Sequence, residues 1–353
     1  MRGIFRRSKA GMALMAAFTF AVIGGNATAG TFTGGGDGTS WEDPLNWASG
    51  VVPVNGATGV IAIGGDFVDF DANTWAALTA AGNLQNATQY RVDRFLLNEN
   101  TTALGSPGGI TFDQGNGNQV LQTNGNSSIF GSRGNTTIVN VLSGSVNTGS
   151  NTTFGARNGT GILNLSGGQF IVGRGNLTLG QNPDGTGEFN ITGGDLLTRG
   201  GAFISPNSTF EVVGTGAGQI GIGSQGSVDG FWDQAAGATI RSGVDSTGIT
   251  PIFIDDVQGG AGAGIATFTA GSILDPFDAG GVATNVWFTV LEAENSILGA
   301  PTLSAAATAA GWISRVDSGN LLQVQLVATA IPEPSSLALL GLGGLFLTAR
   351  RRK

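Results

Sequence analysis

The sequence predicts an all-β protein: a parallel β-solenoid (β-helix) with an N-terminal Trp-rich cap and a C-terminal β extension or small sandwich. Three observations carry that prediction. Glycine fills 62 of 353 positions and charged residues only 11%, so short apolar runs alternate with Gly, Asn, Thr and Ser, as in short strands joined by tight turns. A segment recurs with a period in the twenties, which is the spacing of stacked coils. Two tryptophans stand just upstream of the recurring region, at Trp41 and Trp47.

The repeat is read directly. SIFGSRGNTTIVNV at 128–141 returns as TTFGARNGTGILNL at 152–165 and as LTLGQNPDGTGEFNI at 177–191, with Phe130, Phe154 and Leu179 spaced by 24 and 25 residues. Each is followed by Gly131, Gly155 or Gly180, then a polar turn, then an apolar-Asn-apolar strand around Asn140, Asn164 or Asn190. One rung is too small to bury its own apolar face, so Phe130, Phe154 and Leu179 are expected to stack inside successive coils. Ile138, Ile162 and Phe189 are expected to form a second inward ladder. Gly and Asn suit corners that need positive φ, and stacked Asn side chains are expected to hydrogen-bond along the rod. An antiparallel sandwich also uses short strands and Gly-rich turns; the repeat favours the solenoid for residues 105–225. This body resembles that of autotransporter-type repeat proteins.

Upstream, residues 30–104 are read as cap and first coils. Trp41, Asn46, Trp47, Gly50 and Pro53 carry a resemblance to an opening module of exported solenoid proteins. The two indoles are expected to lid the first open coil, because an uncapped solenoid invites end-to-end association. Stacked aromatics also suit a sugar ring, so Trp41 and Trp47 are the candidate carbohydrate contacts. Downstream, residues 226–330 show longer apolar runs, such as Val286–Leu291, and an Ala-rich turn of helix before Trp312.

The two ends read as addresses. Arg2, Arg6, Arg7 and Lys9 precede an apolar stretch to Ile23, and Ala27 and Ala29 frame a cleavage site. That order of charge, apolar run and A-x-A over residues 1–29 is a secretory signal peptide, served by the general export machinery. Residues 331–353 place Pro332, Glu333 and Pro334 before a Gly/Leu-rich apolar segment and a basic stop of Arg350, Arg351, Arg352 and Lys353. The apolar part is shorter than the roughly 17–25 residues of a spanning helix, and the cations favour the cytoplasmic side, which suits transient membrane insertion. These features resemble the PEP-CTERM sorting signal. The resemblance implies recognition by an exosortase-type membrane protease, cleavage near the triplet, and release or attachment at the surface of a Gram-negative, exopolysaccharide-making bacterium. Exopolysaccharide is the partner it suggests.

Composition narrows the chemistry. Cys and His are absent, which excludes disulfides, thiolate nucleophiles, His bases and His/Cys zinc sites. Of 16 Lys and Arg, only 8 Arg lie between residues 30 and 330, against 23 acids, so clustered phosphate contacts and nucleic acid are not expected. Asp66, Asp69 and Asp71 form the densest acidic group, without a calcium-loop motif; no metal or cofactor is expected. Arg133, Arg157 and Arg174 suggest one exposed row. Asn-x-Ser/Thr sequences are frequent, as this composition dictates. No catalytic residues are assigned. The expected function is non-enzymatic and architectural, with a carbohydrate-binding module, or a carboxylate-based polysaccharide lyase or hydrolase, as alternatives.

Overall fold

The computed structural model describes residues 30–328, apart from 56, 64–65, 86–87, 98–106, 116–118, 124, 182–183, 225–229 and 256–263. Ala27, Ala29 and the sorting segment 331–353 lie outside the described residues. Strands dominate, and one continuous, mostly parallel sheet winds around an apolar core as a β-helix.

Each turn of the chain lays one strand on each of three faces. The first face stacks Ser128–Ser132, Thr152–Ala156, Leu177–Gln181, Ala202–Ile204, Phe231–Gln234, Ile265–Phe268 and Ser296–Leu298 in parallel. The second carries Phe67–Asp71, Gly108–Asp113 and Thr136–Ser143, and ends with Thr209–Val213, Thr239–Asp245, Ile273–Gly280 and Thr302–Leu303. Between these groups, Thr160–Val172 and Thr186–Thr198 run from the second face onto the third, with register shifts at the bend. The third face continues through Ala217–Ile222, Ile252–Ile254 and Phe288–Ala293.

Alternation along each strand decides what points inward. On the first face Phe130, Phe154 and Leu179 stand in register, all buried, with the Phe130 and Phe154 rings stacked at 4.7 Å. The expected second ladder needs correction. Ile138 and Ile162 are only half-buried and stand in register with Glu188 on the next rung, whereas Val139, Leu163 and Phe189 are in register and fully buried. Two inward residues flank each Asn, so Val141, Leu165 and Ile191 form the adjoining column. The glycine after each first-face aromatic has a specific cause at Gly155. Its φ is +75°, and a Cβ there would lie 1.9 Å from the Thr186 carbonyl oxygen of the next rung.

The stack does not stop at residue 225. Phe210, Ile240 and Leu274 extend the second-face column, and Ile220, Ile252 and Leu291 extend the third. The C-terminal region is therefore a β extension and not a separate sandwich. A polar side chain in this core has clear partners: Gln234, fully buried, donates to the carbonyls of Ala238 at 2.8 Å and Ile273 at 3.0 Å. These bonds satisfy an amide that would otherwise be costly to bury.

Both ends are covered. At the start, Trp41, Trp47, Phe32, Phe70 and Tyr90 interlock edge to face, with Trp41 and Trp47 at 4.8 Å. Helix Ala72–Ala80 adds Trp75 to the cluster and begins at a capping box of Asp71 and Thr74. At the far end, the short helix Ala305–Ala309 leads into strands Trp312–Val316 and Leu321–Leu326. That hairpin pairs antiparallel on Phe288–Ala293, ending the parallel stack.

Candidate functional site

The cap is built around one buried amide. Asn46, with no exposed surface, accepts from the Gly36 and Gly38 amides at 2.8 and 3.1 Å through Oδ1. Its Nδ2 donates to Asp37 Oδ1 at 2.7 Å and to the Ser40 carbonyl at 2.9 Å. Asp37 also accepts from the Thr39 and Ser40 amides. Hydrogen bonds from Ser40 in particular hold its carboxyl well below the ordinary aspartate value. Trp47 Nε1 donates to the Trp41 carbonyl at 2.7 Å, and the buried Tyr90 hydroxyl donates to the Pro53 carbonyl. The residues carrying the opening-module resemblance thus converge on one locked loop.

That convergence corrects the carbohydrate assignment. Trp41 is 0% and Trp47 2% exposed, so neither offers a ring face to a sugar. The acidic triplet is dispersed in role. Asp71 caps the helix through the Asn73 and Thr74 amides, and Asp69 lies outward in register with Thr111. Burial, then the charges of Asp71 and Asp37, push the Asp69 carboxyl up. Among the described residues no group of three His, Cys, Asp or Glu is placed to hold a metal ion. The expected single Arg row also divides: Arg133 and Arg157 share one corner, at φ of +53° and +48°, while Arg174 occupies the corner before the next first-face strand.

Outside the second face runs a polar column that the Asn pattern foreshadowed. Asn140 donates to Thr111 at 3.2 Å, Asn164 to Asn140 at 2.9 Å, and Asn190 to Asn164 at 2.9 Å. The next rungs in register carry Glu211, Arg241 and Asp275. Arg241 bridges both acids, at 2.6 Å to Glu211 and 3.3 Å to Asp275. This column lies on strands and not at the corner where stacked Asn were expected. A second Asn pair does stand at a corner: Asn151 Oδ1 accepts the Asn176 amide at 2.8 Å, and Asn176 Oδ1 accepts the Gly201 amide at 2.9 Å.

Beside that corner the first face carries an open depression of about 290 Å³. Ile129, Asn151, Thr153, Asn176, Thr178 and Phe203 line it, together with Ser127 and Gln181. Among the described residues no charged side chain lines it. Sequence reasoning missed it, because its residues are ordinary Thr and Asn positions that only rung registration brings side by side.

No curated protein and no solved structure matches the chain. Residues 330–353 do match a protein family, the PEP-CTERM protein-sorting motif. The match includes Pro332, Glu333, Pro334 and the basic stop Arg350–Lys353. Among the described residues no helix is long and apolar enough to cross a membrane; the apolar segment before Arg350 lies outside them. The chain therefore carries at its C-terminal end a PEP-CTERM signal, which directs exosortase-dependent sorting to the cell surface of Gram-negative bacteria.

Proposed function

We propose that this protein is a non-enzymatic structural component of the cell envelope or extracellular matrix. It is exported through the signal peptide of residues 1–29, cut by the exosortase near Pro332-Glu333-Pro334, and associates with exopolysaccharide. The observation that carries the reading is the sorting motif at 330–353 following directly on a β-helix whose last strands close its end. The body is then a finished rod and the segment beyond it a removable address.

The pairing of four acids, in the cap and on the second face, supports an architectural role. Glu211 and Asp275 both pair with Arg241, and Asp71 and Asp37 are engaged by backbone amides. A carboxylate-based lyase or hydrolase needs a pair left available to substrate. The test is replacement of Pro332, Glu333 and Pro334 by alanine in the native host. An uncleaved species retained in the membrane fraction is expected. Unchanged processing and surface delivery would overturn the proposal.

A further inference from the structure

We propose that the depression on the first face binds a neutral glycan chain, with Phe203 as the stacking surface and Asn151, Thr153, Asn176 and Thr178 as the hydrogen-bonding floor. The inference rests on the extracellular, polysaccharide-rich setting proposed above for its source of ligand, and on the geometry for everything else.

Registration builds the site. Ile129, Thr153, Thr178 and Phe203 occupy successive rungs of one outward column. Two residues earlier on the same rungs stand Ser127, Asn151, Asn176 and Gly201, which share the outward side by strand alternation. Three rung steps of about 4.8 Å make a track of about 14 Å along the rod, long enough for a short oligosaccharide. Thr153 is only 8% exposed, so the floor is recessed between neighbouring rungs.

The donors are directed outward by what the acceptors already do. Asn151 and Asn176 each commit Oδ1 to a backbone amide of the next rung. Among the described residues their Nδ2 groups have no acceptor, and the hydroxyls of Thr153 and Thr178 have no side-chain or backbone partner. Two amide donors and two hydroxyls thus repeat at the spacing of one rung. Sugar hydroxyls, which both donate and accept, satisfy such a set.

The aromatic wall has its own cause. Gly201 has no side chain, and the Phe231 ring fills that place: a Cβ on Gly201 would lie 2.4 Å from it. Phe231 then meets Phe203 edge to face at 4.9 Å. This packing sets the half-buried Phe203 ring at the end of the depression, where its face can take the C–H side of a pyranose. A lining of uncharged groups with one aromatic ring suits a neutral sugar better than an anionic one, because nothing in it offsets the desolvation of a carboxylate or sulfate.

The test uses the purified full-length chain and calorimetric titration with cellohexaose, maltohexaose and chitohexaose, with hexagalacturonate as the charged comparison. Saturable binding of at least one neutral hexasaccharide is expected, with none of the galacturonate. Phe203→Ala should weaken binding about tenfold, the equivalent of one lost stacking contact. The pair Asn151→Asp and Asn176→Asp keeps the corner acceptor but removes the donors, and should abolish it. Circular dichroism and thermal unfolding check that each variant keeps its fold. Failure of all three neutral sugars to bind, preference for galacturonate, or binding unchanged by both sets of substitutions would overturn the assignment. None of these results bears on the alanine test of the sorting triplet, so the two proposals fail separately.

Discussion

The Asn164 side-chain amide donates to Asn140 Oδ1 at 2.9 Å, and its own Oδ1 accepts from Asn190 at the same distance. Asn164 is therefore both donor and acceptor in one column, and the rungs on either side depend on it equally. A net contribution of about 1 kcal/mol per hydrogen bond is typical. Asn164→Leu should lower stability by about 1–2 kcal/mol, read by thermal or urea unfolding of the full chain. Equal stability would mean that solvent replaces both partners without cost.

The core column makes a sharper claim. Phe154 is fully buried and lies 4.7 Å from the Phe130 ring and 4.8 Å from that of Phe189. Phe154→Ala should cost about 3–5 kcal/mol, as expected of a large cavity in a packed interior. Phe154→Leu should cost much less, because Leu179 already fills the same column one rung on. Similar losses for the two variants would show that ring stacking, and not volume, sets the stability.

A methyl group can do as much damage at Gly155 as the loss of a ring. The left-handed φ and the Thr186 carbonyl 1.9 Å from a Cβ act together, so Gly155→Ala should destabilise by more than the roughly 1 kcal/mol of backbone strain alone. A shift in the urea midpoint that exceeds the shift for Gly50→Ala is the expected outcome. Gly50 also has positive φ but has nothing within 4 Å.

Acid should loosen the N-terminal cap first. Asp37 is depressed below the ordinary aspartate value of 3.8 by its hydrogen bonds from Ser40, Asn46 and Thr39. A carboxylate lowered on folding contributes stability that is present above its unfolded value and lost as pH falls through the folded one. The contribution of Asp37 therefore declines from about pH 4 downward. Tryptophan emission from Trp41 and Trp47, both beside this loop, should shift in that window. Asp37→Asn should remove that part of the pH dependence.

The Arg241 bridge is partly exposed, with 44% of its side-chain surface open, so it is screened and modest. Arg241→Met should cost about 1 kcal/mol or less, and the difference from the parent should shrink in high salt. A larger loss, insensitive to salt, would show that its stacking on Phe277 at 4.5 Å matters more than the charges.

Much of this architecture is legible in the sequence, and the failures have identifiable causes. Phe130, Phe154 and Leu179 announce their column because the first two rungs are nearly equal in length. The inward residue of the second face is harder to place. From Phe154 to its inward partner Leu163 is nine residues, but from Leu179 to Phe189 is ten. The turn 181–185 gains one residue, and in a strand one residue reverses the face. That is why Ile162, an apolar residue beside another, resembles a core position and is not one.

Beyond residue 225 the period dissolves while the stack persists. Phe210 and Ile240 are 30 residues apart and in register, and Ile240 and Leu274 are 34 apart. Corners lengthen there without disturbing the strands, so the spacing that reveals a repeat is lost although the faces continue. The burial of Trp41 and Trp47 was hidden for a different reason. A tryptophan in a Gly-rich loop looks alike in sequence whether it closes a core or faces a ligand, and only the lock around Asn46 distinguishes the two.

Because every rung presents the same three edges above and below, a duplicated segment of about 25 residues would find its hydrogen-bond partners already waiting. Phe130 over Phe154 and Asn140 beside Asn164 show that each layer accepts a near copy of itself. Gene duplication could thus extend the rod by about 4.8 Å at a time, leaving the tryptophan lid and the closing hairpin untouched. Length is the quantity such a protein is free to vary, and reach from the cell surface is what that freedom would tune.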